Sequence, residues 1–216
     1  MDACGCDGFA SIFDEATARR DRDRYHRDGP DRTTRLLLEL LKPYRSSGSS
    51  VLDIGGGIGI VDLELLRAGA GHATLVDAST AYLAVARDEA RRAGLLDRID
   101  FVEGDFVRRA ASIDRADVVT LDRVICCYPD MEALVAESAG RAKTAYGIVL
   151  PRDRRGARWA IALNNAWYRI RRKAYRGFIH PTARVDEIAA ANGLRLRAER
   201  HTWIWRVAVY DRTVPA

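Results

Sequence analysis

The residues best placed to do chemistry begin with Asp53, Gly55, Gly57 and Gly59, set at alternate positions at the end of the apolar run that starts at Val51. Glycines there let a chain turn sharply and approach a ligand closely, and the free N–H groups of a following helix attract polar or anionic groups. Dinucleotide sites share this architecture but space their glycines as Gly-x-Gly-x-x-Gly. A frame started at Gly55 reaches Ile60 at the third glycine position, one started at Gly57 reaches Asp62, and one started at Gly56 fails at Ile58. The nicotinamide spacing is not met.

Two further acids follow in order. The run His72 to Val76 ends in Asp77, 22 positions after Gly55 and just before Ala78. A carboxylate at a strand end can accept hydrogen bonds from both hydroxyls of a ribose, the task an adenosine-containing ligand sets. The third run closes on Asp105 and Phe106, a carboxylate that can accept from an adenine amino group beside a ring that can pack on its face. An acid with alternate glycines, followed by acids closing the second and third strands, resembles class I S-adenosylmethionine-dependent methyltransferases over roughly Ser50 to Leu150. The resemblance implies S-adenosyl-L-methionine as cofactor, held by Asp53, Gly55, Gly57, Gly59, Asp77, Ala78, Asp105 and Phe106.

Acceptor chemistry belongs to the loop after the fourth run, Asp122-Arg123-Val124-Ile125-Cys126-Cys127-Tyr128-Pro129. The tetrapeptide Asn-Pro-Pro-aromatic of enzymes that methylate adenine or glutamine amide nitrogens is missing from it. Val124 to Pro129, with an N-terminal helical lid, resembles the magnesium-protoporphyrin O-methyltransferases and their small-molecule relatives. Those enzymes carry a His before the Tyr-Pro, where this chain has Cys127, a thiol mostly protonated at its ordinary pKa. The expected activity is methylation of a small organic molecule, with oxygen as acceptor atom. Transfer from a sulfonium needs little beyond in-line alignment. The candidate bases are Tyr25 and His26 on the lid, Asp122 and Tyr128 on the loop, and His180 further on. Two other readings are an RNA methyltransferase, drawing on Arg169, Arg171, Arg172, Lys173 and Arg176, and a catalytically silent cofactor-binding protein. No metal is expected, because Cys4-Gly5-Cys6 and Cys126-Cys127 lack the spacing of zinc pairs.

The elements that must position these residues fit one α/β domain of 216 residues. Short β-rich runs alternate with amphipathic stretches, the pattern of a doubly wound, seven-stranded, mostly parallel sheet. Strands are expected near 50–54, 73–77, 99–103, 116–121, 145–150, 195–202 and 203–210, the last two as an antiparallel hairpin. Helices are expected near 59–69, 79–93, 107–113, 130–142 and 182–192. Residues 1–49 read as a helical lid and 50–216 as the catalytic core. An extra helix near 154–174 breaks the alternation, and its Trp159 and Trp167 are expected to be core.

The net charge of +5 comes from 35 cations, nearly all Arg, mixed among 30 acids. Such mixing reads as solvated helix faces, so nucleic acid is not the expected partner. No basic-then-apolar opening and no run of 18 apolar residues occurs, so neither a signal peptide nor a membrane span is expected. A cytoplasmic protein with reduced thiols follows.

Overall fold

The computed structural model describes residues 12–171 and 175–212. At the N-terminal end lie α1 (Glu15–Asp28) and α2 (Arg32–Leu40), each opened by an aspartate cap, Asp14 and Asp31, that accepts from backbone N–H groups of the first turn. The sheet is then wound as β1 (Ser50–Ile54), α3 (Ile60–Arg67), β2 (His72–Asp77), α4 (Thr80–Arg92), β3 (Ile99–Glu103), α5 (Phe106–Arg109) and β4 (Ala116–Asp122). There follow α6 (Met131–Arg141), β5 (Ala142–Pro151), α7 (Arg155–Ile170), α8 (Thr182–Ala191), β6 (Leu194–His201) and β7 (Trp205–Arg212).

The strands form one sheet in the order β3-β2-β1-β4-β5-β7-β6. The first five are parallel, while β7 enters antiparallel between β5 and β6. All seven strands and the final hairpin therefore lie where the sequence pattern expects them. Because β1 and β4 are neighbours but lead to helices on opposite sides, a crevice opens beyond their carboxyl ends, where ligands of such sheets bind.

Both faces of the sheet are covered. On one, Phe106, Leu134, Val135, Val185 and Ile188 from α5, α6 and α8 pack on Leu52, Val119, Leu121 and Ile148. On the other, Leu63, Leu66, Tyr82 and Val85 from α3 and α4 pack on Val51, Ala73 and Leu75.

The segment expected to be a lid is divided between two jobs. Helix α2 is a core helix: Leu37 and Leu41 are fully buried against Val118, Ala145, Val149, Val207 and Val209. It comes that close because Gly147 has no side chain, a Cβ there standing 2.8 Å from Leu37. Burying each leucine contributes about 2 kcal/mol, so α2 is held on the sheet. Helix α1 instead leans on α4 through Tyr82, whose hydroxyl donates to Asp21 at 2.6 Å.

Helix α7 also departs from expectation. Trp159 and Trp167 are not core: Trp159 is 72% exposed, Trp167 is about half exposed, and of the helix only Ala157 is buried. Helical spacing correctly marks an apolar face, but it carries no information on whether a neighbour covers that face.

Candidate active site

The cradle is built first by backbone. After β1 the chain turns through Gly55, Gly57 and Gly59, all with φ between 60° and 79°, a region nearly closed to side chains. At Gly55 the constraint is also steric, since a Cβ would lie 2.6 Å from Val124 of the β4 loop. The Gly55 N–H donates to the Val76 carbonyl at 2.7 Å, so the loop is tied to β2.

Asp77 at the end of β2 completes this loop. Its two oxygens accept from the N–H groups of Gly57 (2.9 Å) and Ser79 (2.8 Å). Burial pushes its pKa up, and those two backbone donors push it back. Each oxygen keeps a second lone pair, so the carboxylate can still receive a pair of hydroxyls. Asp105 caps α5 by accepting from Val107 N–H at 3.0 Å, beside the buried Phe106. The Tyr128 hydroxyl donates to the Asp105 carboxylate, 3.1 and 3.0 Å from its two oxygens.

Asp53 does a different job. It is buried under the loop, accepts from Thr120 Oγ1 at 2.6 Å, and faces the buried carboxyl of Asp62 on α3. Burial raises the Asp53 pKa to about 7 and lifts that of Asp62 well above the usual carboxylate range; the Asp53 charge adds to the rise of Asp62, whereas hydrogen bonding from Asp62 holds Asp53 down. The pair thus holds a proton near neutrality beneath the glycine turn. Asp62 was not singled out by sequence; an acid flanked by apolar residues, Ile60-Val61-Asp62-Leu63, was the available signal.

A cavity of about 410 Å³ runs from this cradle to the β4 loop. Of the thirteen residues assigned above to cofactor or catalysis, Asp53, Gly55, Gly57, Asp77, Ala78, Asp105, Phe106, Asp122 and Tyr128 line it. Gly59 lies one step back as the left-handed residue that opens α3. The aromatic slot at Phe106, the spare lone pairs of Asp77 and the glycine cradle suit S-adenosyl-L-methionine in chemistry.

Three candidate bases sit elsewhere. Tyr25 is engaged by Glu64 and Arg67, both at 2.7 Å, and burial lifts its pKa to about 12. His26 meets Glu89 at 2.5 Å on the outer side of α4. Neither lines the cavity; the alternating Asp and Arg of α1 hid which way the helix faces. His180 stacks on Phe178 and meets the Tyr128 carbonyl at 3.1 Å, a bracket for the loop. Tyr128 lines the cavity, but burial and Asp105 drive its pKa up, so it is a donor to Asp105.

The acceptor end is assembled from distant segments. Asp122 accepts from Thr34 Oγ1 of α2 and from Arg123 Nε at 3.1 Å, and burial raises its pKa. Arg123 also pairs with Asp31 and is the one non-glycine residue with positive φ, 64°, among the described residues. Cys127 Sγ lies 2.9 Å from the Tyr175 hydroxyl and 3.8 Å from Cys126 Sγ. Hydrogen bonding from Cys126 and Tyr175 draws the Cys127 thiol below its usual range, while Cys126 is raised. Cys4 and Cys6 lie outside the described residues. Thr34, Arg123 and Tyr175 were not legible as site residues, because nothing in local spacing joins them.

Residues 51–144 match the family model described as a methyltransferase domain. With the sheet order and the three acid-bearing strand ends, this match supports a class I S-adenosylmethionine-dependent methyltransferase domain over those residues, with S-adenosyl-L-methionine as cofactor. Over 86 residues it is 36% identical to the ubiquinone/menaquinone biosynthesis C-methyltransferase of Roseobacter denitrificans, covering 39% of this chain and 34% of that one. Over 76 residues it is 38% identical to the ribosomal protein L11 methyltransferase of Deinococcus radiodurans, covering 35% and 28%. The chain thus spans well under half the length of these curated relatives. Its fold is similar to that of magnesium protoporphyrin IX methyltransferase from Synechocystis, with TM-score 0.70, 18% identity, and coverage of 94% of this chain and 99% of that one. It is also similar to an O-methyltransferase family protein from Burkholderia thailandensis, with TM-score 0.67, 20% identity, and coverage of 94% and 62%.

Proposed function

We propose that this protein methylates a small organic molecule, on oxygen, in the half of the cavity bounded by Phe13, Asp122, Arg123, Val124, Cys127 and Tyr175. The observation that carries the reading is the continuity of the cavity, which joins the cofactor cradle to an acceptor wall built from the β4 loop. That wall is aromatic and aliphatic, and its cations are matched by acids: Arg24 with Asp21, Arg123 with Asp31 and Asp122. Such a lining favours a largely uncharged acceptor.

When bound, the cofactor supplies an activated methyl group on a cationic sulfur. Asp53, Gly55, Gly57, Gly59, Asp77, Ala78, Asp105 and Phe106 would form its cradle, with Tyr128 bracing Asp105. Asp122 would take the proton of the acceptor hydroxyl; its raised pKa makes it a better base than an exposed carboxylate. Thr34 and Arg123 orient that carboxylate.

The test is incubation with isotopically labelled cofactor and a metabolite extract, followed by mass spectrometry of the product. A labelled methyl ester or ether is expected. A methyl group on carbon would move the reading to the chemistry named for the Roseobacter relative, and absence of turnover with retained cofactor affinity would make the chain a binding protein.

A further inference from the structure

Helix α7 is attached to the molecule by one face only. Asn165 makes a double hydrogen bond with Gly177, both at 2.8 Å. Ala157 is buried, and Tyr168 meets Tyr175 edge to face. On the opposite side Trp159, Leu163, Trp167 and Ile170 recur at i, i+4, i+8 and i+11 and so form one stripe. Leu163 is 68% and Ile170 81% exposed, and Trp203 of the β6–β7 turn, 75% exposed, adjoins the helix start at Gly156. Large apolar side chains contiguous on a surface mark a place that another surface covers.

The charge around the stripe identifies that surface. From Pro151 to His180 the sequence has nine Arg or Lys and a single acid, Asp153, whereas the chain as a whole is only +5, so the remainder is net acidic. Asp153 is taken up by Arg158. Among the described residues Arg154, Arg155 and Arg169 have no ion-pair partner, and Arg171 lies over the Trp167 ring at 4.7 Å.

We infer that α7 and Trp203 dock the protein onto an anionic lipid surface, with the apolar stripe entering the headgroup boundary and the arginines meeting lipid phosphates. Tryptophan beside arginine on a helix lying in the interface plane is the composition such docking uses. Two copies of this face would bring like charges together. A nucleic acid would satisfy the arginines and stack on indoles but leave Leu163 and Ile170 in water. No helix among the described residues is long and apolar enough to cross a membrane, so the attachment is peripheral.

The experiment is co-sedimentation of the whole chain with vesicles of phosphatidylcholine, alone or with about a third phosphatidylglycerol. Binding to the anionic vesicles, weakened by salt and accompanied by a blue shift of indole emission, is expected. Trp159→Ser with Trp167→Ser, and separately Arg154→Glu with Arg155→Glu, should each lower the partition coefficient about tenfold or more. Calorimetric affinity for S-adenosylmethionine should not change, showing that these variants remain folded. Four results would overturn the inference: no binding to anionic vesicles, equal binding to neutral ones, tighter binding to a single-stranded RNA lost with the same substitutions, or self-association lost with them.

Discussion

The two ends of the cavity are built by different means. At the cofactor end, positions are set by backbone: a left-handed turn at Gly55, its N–H on Val76, and the Gly57 N–H on Asp77. At the acceptor end, side chains far apart in sequence are tied to one another: Asp31 and Thr34 to Asp122 and Arg123, and Cys127 to Tyr175. A ligand common to a whole class can be met by a turn that any such strand can repeat. A ligand particular to one protein has to be met by loops, which change without disturbing the sheet.

Breaking the cofactor end should have the largest effect. Gly55→Ala places a Cβ 2.6 Å from Val124 on a positive-φ backbone, which should cost about 3 kcal/mol of stability and lower cofactor affinity at least tenfold. A melting temperature and cofactor affinity equal to wild type would show the turn to be looser than described. Asp77→Ala removes an acceptor for two hydroxyls and the partner of two backbone donors, and should weaken S-adenosylmethionine binding by roughly 30-fold in calorimetry. Unchanged affinity would place the ribose elsewhere.

The proton held beneath the turn sharpens the same comparison. An aspartate that titrates near 4 when unfolded and near 7 in the fold stabilises the fold at low pH. That contribution is lost as pH rises through 7. Asp62→Asn removes the more strongly raised carboxyl of the pair while keeping a donor toward Asp53, so it should flatten the dependence of melting temperature on pH and raise stability at pH 8 by about 1–2 kcal/mol. Thermal melts at pH 5 and pH 8 showing the wild-type slope retained would refute the shared proton.

The smallest effects concern residues chosen by type alone. Tyr128→Phe should raise the KM for cofactor by a few-fold through the lost bond to Asp105 with kcat nearly unchanged. A fall of kcat by about two orders of magnitude would instead make Tyr128 the base. His26→Gln, on the far side of α4, should leave both constants within roughly twofold.

These contrasts explain what could be read in advance. The strands, the hairpin and the acid-bearing strand ends were legible because β-rich runs and strand-end positions are local facts. Tyr25 and His26 were placed in the site only because a helix near the N-terminus was expected to close over it. That segment does line the cavity, through Phe13, Asp21, Arg24 and Thr34, but α1 turns Tyr25 onto Glu64 and Arg67 and His26 onto Glu89. Trp159 and Trp167 were misjudged because burial depends on a neighbour, and spacing along one helix reports only which residues share a side. Arg123 was invisible for a third reason: its guanidinium is paired with Asp31 and Asp122 from two elements while its backbone is left-handed, and no rule of residue preference anticipates either.

The β6–β7 hairpin has a practical consequence. Trp205 belongs to the cavity wall, while Trp203, two residues earlier, stands in solvent beside α7. The molecule therefore has two intrinsic optical gauges on one short turn. One responds to what enters the cavity and the other to what touches the outer face, and once Trp159 and Trp167 are replaced, removing either of the two leaves the other to be read alone.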